Sequence, residues 1–166
     1  EKFRNLIFPR TWQYLCSEDE ITDDKNLFPC EFIEGFIEEP MVVVKNQNDY
    51  HVLSNVCTHR GNLLITEKCN STKFITCKYH GRRFSLDGKF QFMPEFKEVQ
   101  DFPSEEEHLH HFAFGKWGKW LFSSIDKRKS FEAYFKPMME RLSWLPFDKF
   151  QYRPELGKDY YINANW

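Results

Sequence analysis

Cys57-Thr58-His59-Arg60-Gly61 and Cys77-Lys78-Tyr79-His80-Gly81 are the two stretches from which the rest of the chain can be read. Each offers one thiolate and one imidazole, and each places glycine one or two residues after its histidine. Residues 60–76, 17 in all, separate His59 from Cys77. Two cysteines with two histidines suit either of two centres. One is a structural zinc ion held by four nitrogen and sulfur donors. The other is a [2Fe–2S] cluster in which cysteines hold one iron and histidines the other. Zinc pairs usually leave two to four residues between ligands, whereas Thr58 alone separates Cys57 from His59 and each pair mixes the two ligand types. A one-residue gap suits ligands on neighbouring metals better than two on one metal. The spacing therefore favours the cluster, and a zinc-stapled interaction module stays as its rival. Glycine after each histidine suits loops that turn tightly around such a group.

Working outward, the flanks read as short strands. Lys73-Phe74-Ile75-Thr76 runs straight into Cys77. Phe84-Ser85-Leu86, the turn Asp87-Gly88 and Lys89-Phe90-Gln91-Phe92 form the clearest hairpin, because Asp-Gly tolerates the positive φ of a tight reversal. Upstream, residues 31–37, 41–45 and 50–54 have strand composition, with Asn46-Gln47-Asn48-Asp49 as a turn. Residues 111–123 alternate again, with Gly115 and Gly118 among the aromatics. Helical signal comes late: Ser130 caps residues 131–135, Pro137 opens a second turn towards Leu142, and Pro146 ends it. Eighteen phenylalanines in an aromatic content of 18% agree with pleated, half-buried surfaces. The expected class is all-β, a small antiparallel sandwich or barrel with short helical extensions at both ends. Its parts are an N-terminal arm over residues 1–30, a metal-binding domain over 31–125, and a helical linker over 126–166.

A net charge of −2 without a basic tract gives no basis for binding nucleic acid or an anionic membrane. No apolar run reaches the roughly 18 residues that a membrane span needs. Five cysteines cannot all pair, so Cys16, Cys30 and Cys69 read as free thiols in a reducing compartment, the cytoplasm. The chain starts at Glu1 without methionine and stops within the alternation Tyr160-Tyr161-Ile162-Asn163-Ala164-Asn165-Trp166. It reads as a piece of something longer.

The run Asn55-Val56-Cys57-Thr58-His59-Arg60-Gly61, the second loop with Phe84 and Asp87-Gly88, and the arm Ile7-Phe8-Pro9-Arg10-Thr11-Trp12 resemble the N-terminal Rieske domain of the α subunit of Rieske non-haem iron (aromatic-ring-hydroxylating) oxygenases. Residues 117–122 and Arg141-Leu142 extend the likeness over essentially the whole chain. The resemblance implies the Rieske (ISP-like) fold with a small cluster-binding subdomain, and Cys57, His59, Cys77 and His80 as cofactor and metal ligands. It implies no catalytic residue here: a mononuclear Fe(II) belongs to a catalytic domain beyond Trp166. Electrons would come from a reductase or ferredoxin and pass to that iron, in the same or a neighbouring subunit of a trimer. A free-standing Rieske-type ferredoxin is the alternative. Glu105-Glu106-Glu107-His108-Leu109-His110-His111, a His/carboxylate run outside the two loops, reads as a solvated linker leading into a strand. Arg60, Lys78, Arg82 and Arg83 read either as ordinary solvated surface or structural pairing, or as a docking face for an acidic donor. Arg82 departs from the tryptophan or serine that relatives carry after the second His-Gly, and Asn62 and Tyr79 stand where a disulfide-forming cysteine pair would be. Fewer hydrogen bonds to sulfur imply a potential near the lower end of the Rieske range, roughly −150 to +300 mV.

Overall fold

The computed structural model describes residues 2–96 and 100–164. Its elements in chain order are α1 (Lys2–Leu6), β1 (Gln13–Ser17), β2 (Leu27–Ile33), β3 (Ile37–Asn46), β4 (Asp49–Ser54), β5 (Phe74–Thr76), β6 (Arg83–Ser85), β7 (Phe90–Phe92), β8 (Ala113–Trp117), β9 (Trp120–Ser124) and α2 (Phe131–Arg141). The strands form three antiparallel sheets, ordered β1-β9-β8, β2-β3-β4 and β5-β6-β7. This is the expected all-β architecture with short helices near both ends. None of the described helices is long and apolar enough to cross a membrane.

The apolar run Met41-Val42-Val43-Val44 sits in the middle strand of the central sheet, and all four side chains are fully buried. Successive strand residues point to opposite faces. Accordingly Val42 and Val44 join Leu27, Leu53, Leu64, Ile75, Phe84, Leu86 and Leu109 in one core, under the sheet β5-β6-β7. Met41 and Val43 join Cys16, Phe28, Phe32, Val52, Phe112 and Leu121 in a second, against the sheet β1-β9-β8. A third, smaller core sets Phe131 and Phe135 of α2 against Trp12 and Phe122.

Three local expectations change. Residues 31–37 are not one strand: β2 starts at Leu27, whose buried side chain pairs with Val44, and it ends at Ile33. Gly35 then takes a φ of +68°, which reverses the chain so that Ile37 pairs back to Ile33. Pro29 is tolerated because β2 is an edge strand of its sheet. The alternation at 111–123 is likewise two strands, folded at Gly118 (φ +57°) so that Trp117 faces Trp120. Pro137 does not open a second turn but lies inside the single helix α2. Its missing N–H costs one helical bond, while Phe131 and Phe135, on the packed face, keep the helix in place. Strand β1, within the N-terminal arm, pairs with β9 and so belongs to the sheet system.

Three successive carboxylates after β1 tie the chain's ends together. Glu18 accepts from Lys116 and from the Tyr50 hydroxyl, Asp19 accepts from Lys119 and from the backbone N–H of Tyr152, and Glu20 accepts from Lys68. The Lys119 ammonium holds the Asp19 carboxyl below its usual value. Glu18 is lowered too, although burial works against it, because Lys116 and Tyr50 donate to it.

Two outcomes follow from this packing. A methyl added at Gly115 would lie 2.2 Å from a ring carbon of Phe131, so Gly115→Ala should lower stability by about 1–3 kcal/mol, read as a reduced urea midpoint. Because the folded carboxyls titrate below their unfolded values, their stabilisation is complete above about pH 5 and is lost as pH falls through the folded pKa. Asp19→Asn should therefore flatten the acid side of the urea-midpoint profile below about pH 4 and cost about 0.2–1 kcal/mol near neutrality.

Candidate metal centre

The two loops are built alike. In the first, the Gly61 N–H donates to the Cys57 carbonyl at 3.0 Å, and the Cys57 N–H donates to the Asn62 carbonyl at 2.8 Å. In the second, Gly81 N–H donates to Cys77 O at 3.0 Å and Cys77 N–H to Arg82 O at 2.7 Å. Gly61 and Gly81 take φ of +67° and +73°, a region that glycine enters without strain. The same turn therefore presents Cys-x-His in one loop and Cys-x-x-His in the other. Asn55, buried at the root of the first loop, donates to Ile65 O at 2.7 Å and accepts from Ile65 N–H at 2.9 Å. One amide thus closes the loop's neck.

These turns bring the predicted ligands together as two pairs, Cys57 with Cys77 and His59 with His80, and among the described residues no three or more His, Cys, Asp or Glu side chains converge on a single metal-ion position. Cys57 and Cys77 are 2% exposed and belong to the core below the loops. His59 and His80 lie half-buried at its edge, with their Nδ1 atoms 3.1 Å apart and ring centroids 4.7 Å apart. Two converging Nδ1 atoms leave each Nε2 on the far side of its ring. Burial pushes the Cys57 thiol pKa up, against the backbone N–H of His59, which favours the thiolate; interaction with Cys77 raises it further. Desolvation, then His80, Arg60 and Arg82, hold His59 below the usual imidazole value. The Cys57 thiol and the His59 imidazole are thus biased towards their neutral forms, and a bound cation reverses that bias for sulfur while using the neutral imidazole directly. Asn62 Nδ2 reaches across to the Cys77 sulfur at 3.7 Å. A paired buried sulfur set beside a paired nitrogen set fits a two-iron, two-sulfide group.

Of the cations around the loops, Arg82 takes the structural-pairing reading and is removed from any docking face: it is 3% exposed. Its guanidinium forms an ion pair with Glu107 and lies 4.8 Å from the ring centroid of Phe90, 5.7 Å from Phe84 and 5.8 Å from Phe102. Its Nε has no hydrogen-bond partner among the described residues. Arg60, Lys78 and Arg83 do lie exposed, as do Leu63 and Tyr79, the latter 59% exposed.

Residues 105–111 also differ from a freely solvated linker. Glu107 holds Arg82 of the second loop, and its carbonyl accepts the Thr58 hydroxyl of the first loop at 3.0 Å. His108 Nδ1 accepts the Phe90 N–H at 3.0 Å, the Leu109 N–H donates to Gly88 O at 2.8 Å, and Leu109 is buried in the core. The segment is a strap across both loops and the hairpin β6-β7.

Comparison with known proteins agrees with this geometry. The profile of the Rieske [2Fe–2S] domain family matches residues 11–103. The large oxygenase component of a naphthalene 1,2-dioxygenase system from a Ralstonia species is 33% identical over 95 residues, 56% of this chain and 20% of that protein. Chloroplastic choline monooxygenase from Beta vulgaris is 27% identical over 121 residues, 73% of this chain and 26% of that protein. The chain thus spans about a fifth to a quarter of the length of these relatives. Among solved structures, the apo form of the quaternary ammonium Rieske monooxygenase CntA superposes with a TM-score of 0.75 at 22% identity, covering 86% of this chain and 41% of that one.

Removing the Glu107 carboxylate leaves a buried guanidinium charge unpaired. Glu107→Ala should destabilise by about 3 kcal/mol, the low end for broken buried pairs because the Glu107 side chain keeps 23% exposure. Converting both partners to methionine should restore most of the urea midpoint.

Proposed function

We propose that this chain, which belongs to the Rieske [2Fe–2S] domain family, binds its cluster through Cys57, His59, Cys77 and His80 and is the electron-entry part of a Rieske oxygenase. The observation that carries the ligand assignment is the pairing of the two buried thiols with each other and of the two facing Nδ1 atoms with each other, on two turns of the same backbone pattern, as two neighbouring irons would need. When bound, the cluster supplies a one-electron couple within roughly −150 to +300 mV. Cys57 and Cys77 bind as thiolates, losing their protons to solvent as the metal binds. His59 and His80 bind as neutral imidazoles through Nδ1, which leaves each Nε2–H to donate to a partner or to exchange protons.

The oxygenase setting is supported by relatives that are oxygenase components several times longer than this chain. It is supported also by the apolar side chains that its C-terminal stretch leaves in solvent, among them Trp144, Leu156, Tyr160 and Tyr161, the last 98% exposed. Such a stretch suits packing against further protein, here a catalytic domain carrying a mononuclear iron. The electron donor is a reductase or ferredoxin with an acidic face, which fits the exposed cations Arg60, Lys78 and Arg83 on and after the two loops. The five described cysteines are all free thiols, in keeping with a reducing compartment such as the cytoplasm. With no disulfide between the loops, and Asn62 the one amide donating to a ligand sulfur among the described residues, the potential belongs in the lower half of the Rieske range.

The reduced protein should give the EPR spectrum of a two-histidine cluster, with two irons and two sulfides per chain. His80→Ala should abolish that spectrum, and its survival would remove His80 from the ligand set. A midpoint in the upper half of the range would refute the low-potential assignment. Arg83→Glu should slow reduction by an acidic donor at low salt, with the difference shrinking as salt screens it; rates equal to wild type throughout a salt series would exclude docking at Arg83.

A further inference from the structure

We infer that Arg82 is a positioning residue for the cluster: a buried cation whose Nε–H is held in reserve as a donor to the sulfur set, the counterpart of Asn62. This inference rests on the cluster assignment above and adds a residue that tunes it.

The geometry of the loops carries the argument. Asn62 and Arg82 follow Gly61 and Gly81 in two turns with the same backbone pattern, each giving its carbonyl to the N–H of its loop's cysteine. Asn62 uses its side chain to reach the sulfur of the opposite loop, Cys77. Arg82 occupies the matching place in the second loop, for which the opposite sulfur is that of Cys57. One terminal nitrogen is engaged by Glu107, three aromatic rings box its guanidinium, and its buried Nε has no hydrogen-bond partner among the described residues. An orphaned buried donor costs about 1–3 kcal/mol and more when charged, so a chain that keeps one has an acceptor for it in the loaded state. Burial lowers the Arg82 pKa while Cys57 and then Cys77 raise it, so the guanidinium is electrostatically coupled to both thiols.

The charge balance says what the residue does. With both irons ferric, two sulfides and two thiolates balance the metal charge. One electron from the donor leaves one uncompensated negative charge, and no bond is formed or broken. A fixed cation with a hydrogen bond to sulfur stabilises the reduced form more than the oxidised one. Glu107 offsets part of that field, so the pair sets the potential by the difference between its members.

The test is the midpoint potential of the purified holoprotein, titrated with dithionite in the presence of mediators. Arg82→Met combined with Glu107→Gln removes the cation without stranding a carboxylate, and should shift the one-electron equilibrium at least ten-fold towards the oxidised form, about 59 mV. Arg82→Lys, which keeps a charge but has no Nε–H, should shift it the same way. Glu107→Gln alone should shift it towards the reduced form. In protein labelled with ¹⁵N-arginine, spin-echo modulation of the reduced cluster should contain a weakly coupled nitrogen that Arg82→Lys removes. A purely structural ion pair would change the urea midpoint of these variants and leave the potential where it was. An unmoved potential in the double variant and in Arg82→Lys, with a normal two-histidine spectrum, overturns this inference alone. A wild-type protein without that spectrum overturns the cluster assignment and this inference together.

Discussion

Strand β3 has no solvent-facing side over Met41-Val42-Val43-Val44, and this double burial constrains everything above it. The even-numbered valines belong to one core and Met41 and Val43 to another, so the same backbone fixes the position of two sheets. Cys57 and Cys77 are members of the first core, in company with Val42, Leu53, Ile75 and Phe84. The sulfurs are therefore located by hydrophobic packing before any metal arrives. Each short turn then carries the chain from a buried cysteine to a half-buried histidine within two or three residues. That gradient is what an electron carrier requires: sulfur ligands away from water, and imidazoles at the edge where a partner can approach.

Holding the loops in register falls to polar groups rather than to sheet ladders. The connection from β4 to β5 is long for a segment with no regular structure of its own. Two buried asparagines organise it. Asn55 closes the neck of the ligand turn, and the Asn26 amide donates to Lys45 O and Ser71 O while accepting from Ser71 N–H. These bonds satisfy backbone groups that a strand would otherwise pair. The strap at residues 105–111 adds a link that neither loop makes by itself, because Thr58 and Arg82 meet on the same residue, Glu107.

How far the sequence reveals this depends on the range of each signal. The cysteine and histidine spacing and the Asp87-Gly88 hairpin are local signals, carried by a few adjacent residues, and both are realised. Gly35 and Gly118 mark reversals too, but each sits inside a run whose strand-like composition continues on both sides, so each run reads as one strand. Arg82 and Arg83 read as a basic pair when charge alone is considered. The alternation Arg82, Phe84 and Leu86 inward with Arg83 outward was present in the residues, yet accepting it requires a partner for a buried guanidinium. That partner lies 25 residues away in Glu107. Cation and carboxylate become a plausible pair only when the hairpin β6-β7 and the strap are folded over one another. Long-range pairing of this kind has no local periodicity.

The two sets of cations around the centre obey different physics for that reason. Arg60, Lys78 and Arg83 stand in water, where their field fades over about 8 Å at physiological ionic strength. In the proposed function they act on the encounter with a partner, where they would influence rates and respond to salt. Arg82 lies in a ring-lined, low-dielectric box, where counter-ions do not reach and a charge interacts far more strongly with its neighbours. It acts on the relative stability of two oxidation states, so its influence is thermodynamic and insensitive to salt. Two adjacent arginines of identical chemistry are thereby divided between kinetics and equilibrium by one property, the side to which each falls, Arg82 just before β6 and Arg83 at its first position. A one-residue slip of that strand would exchange their roles. It would also put Phe84 into solvent, so the hydrophobic core under the loops enforces the electrostatic division as well as the position of the sulfurs.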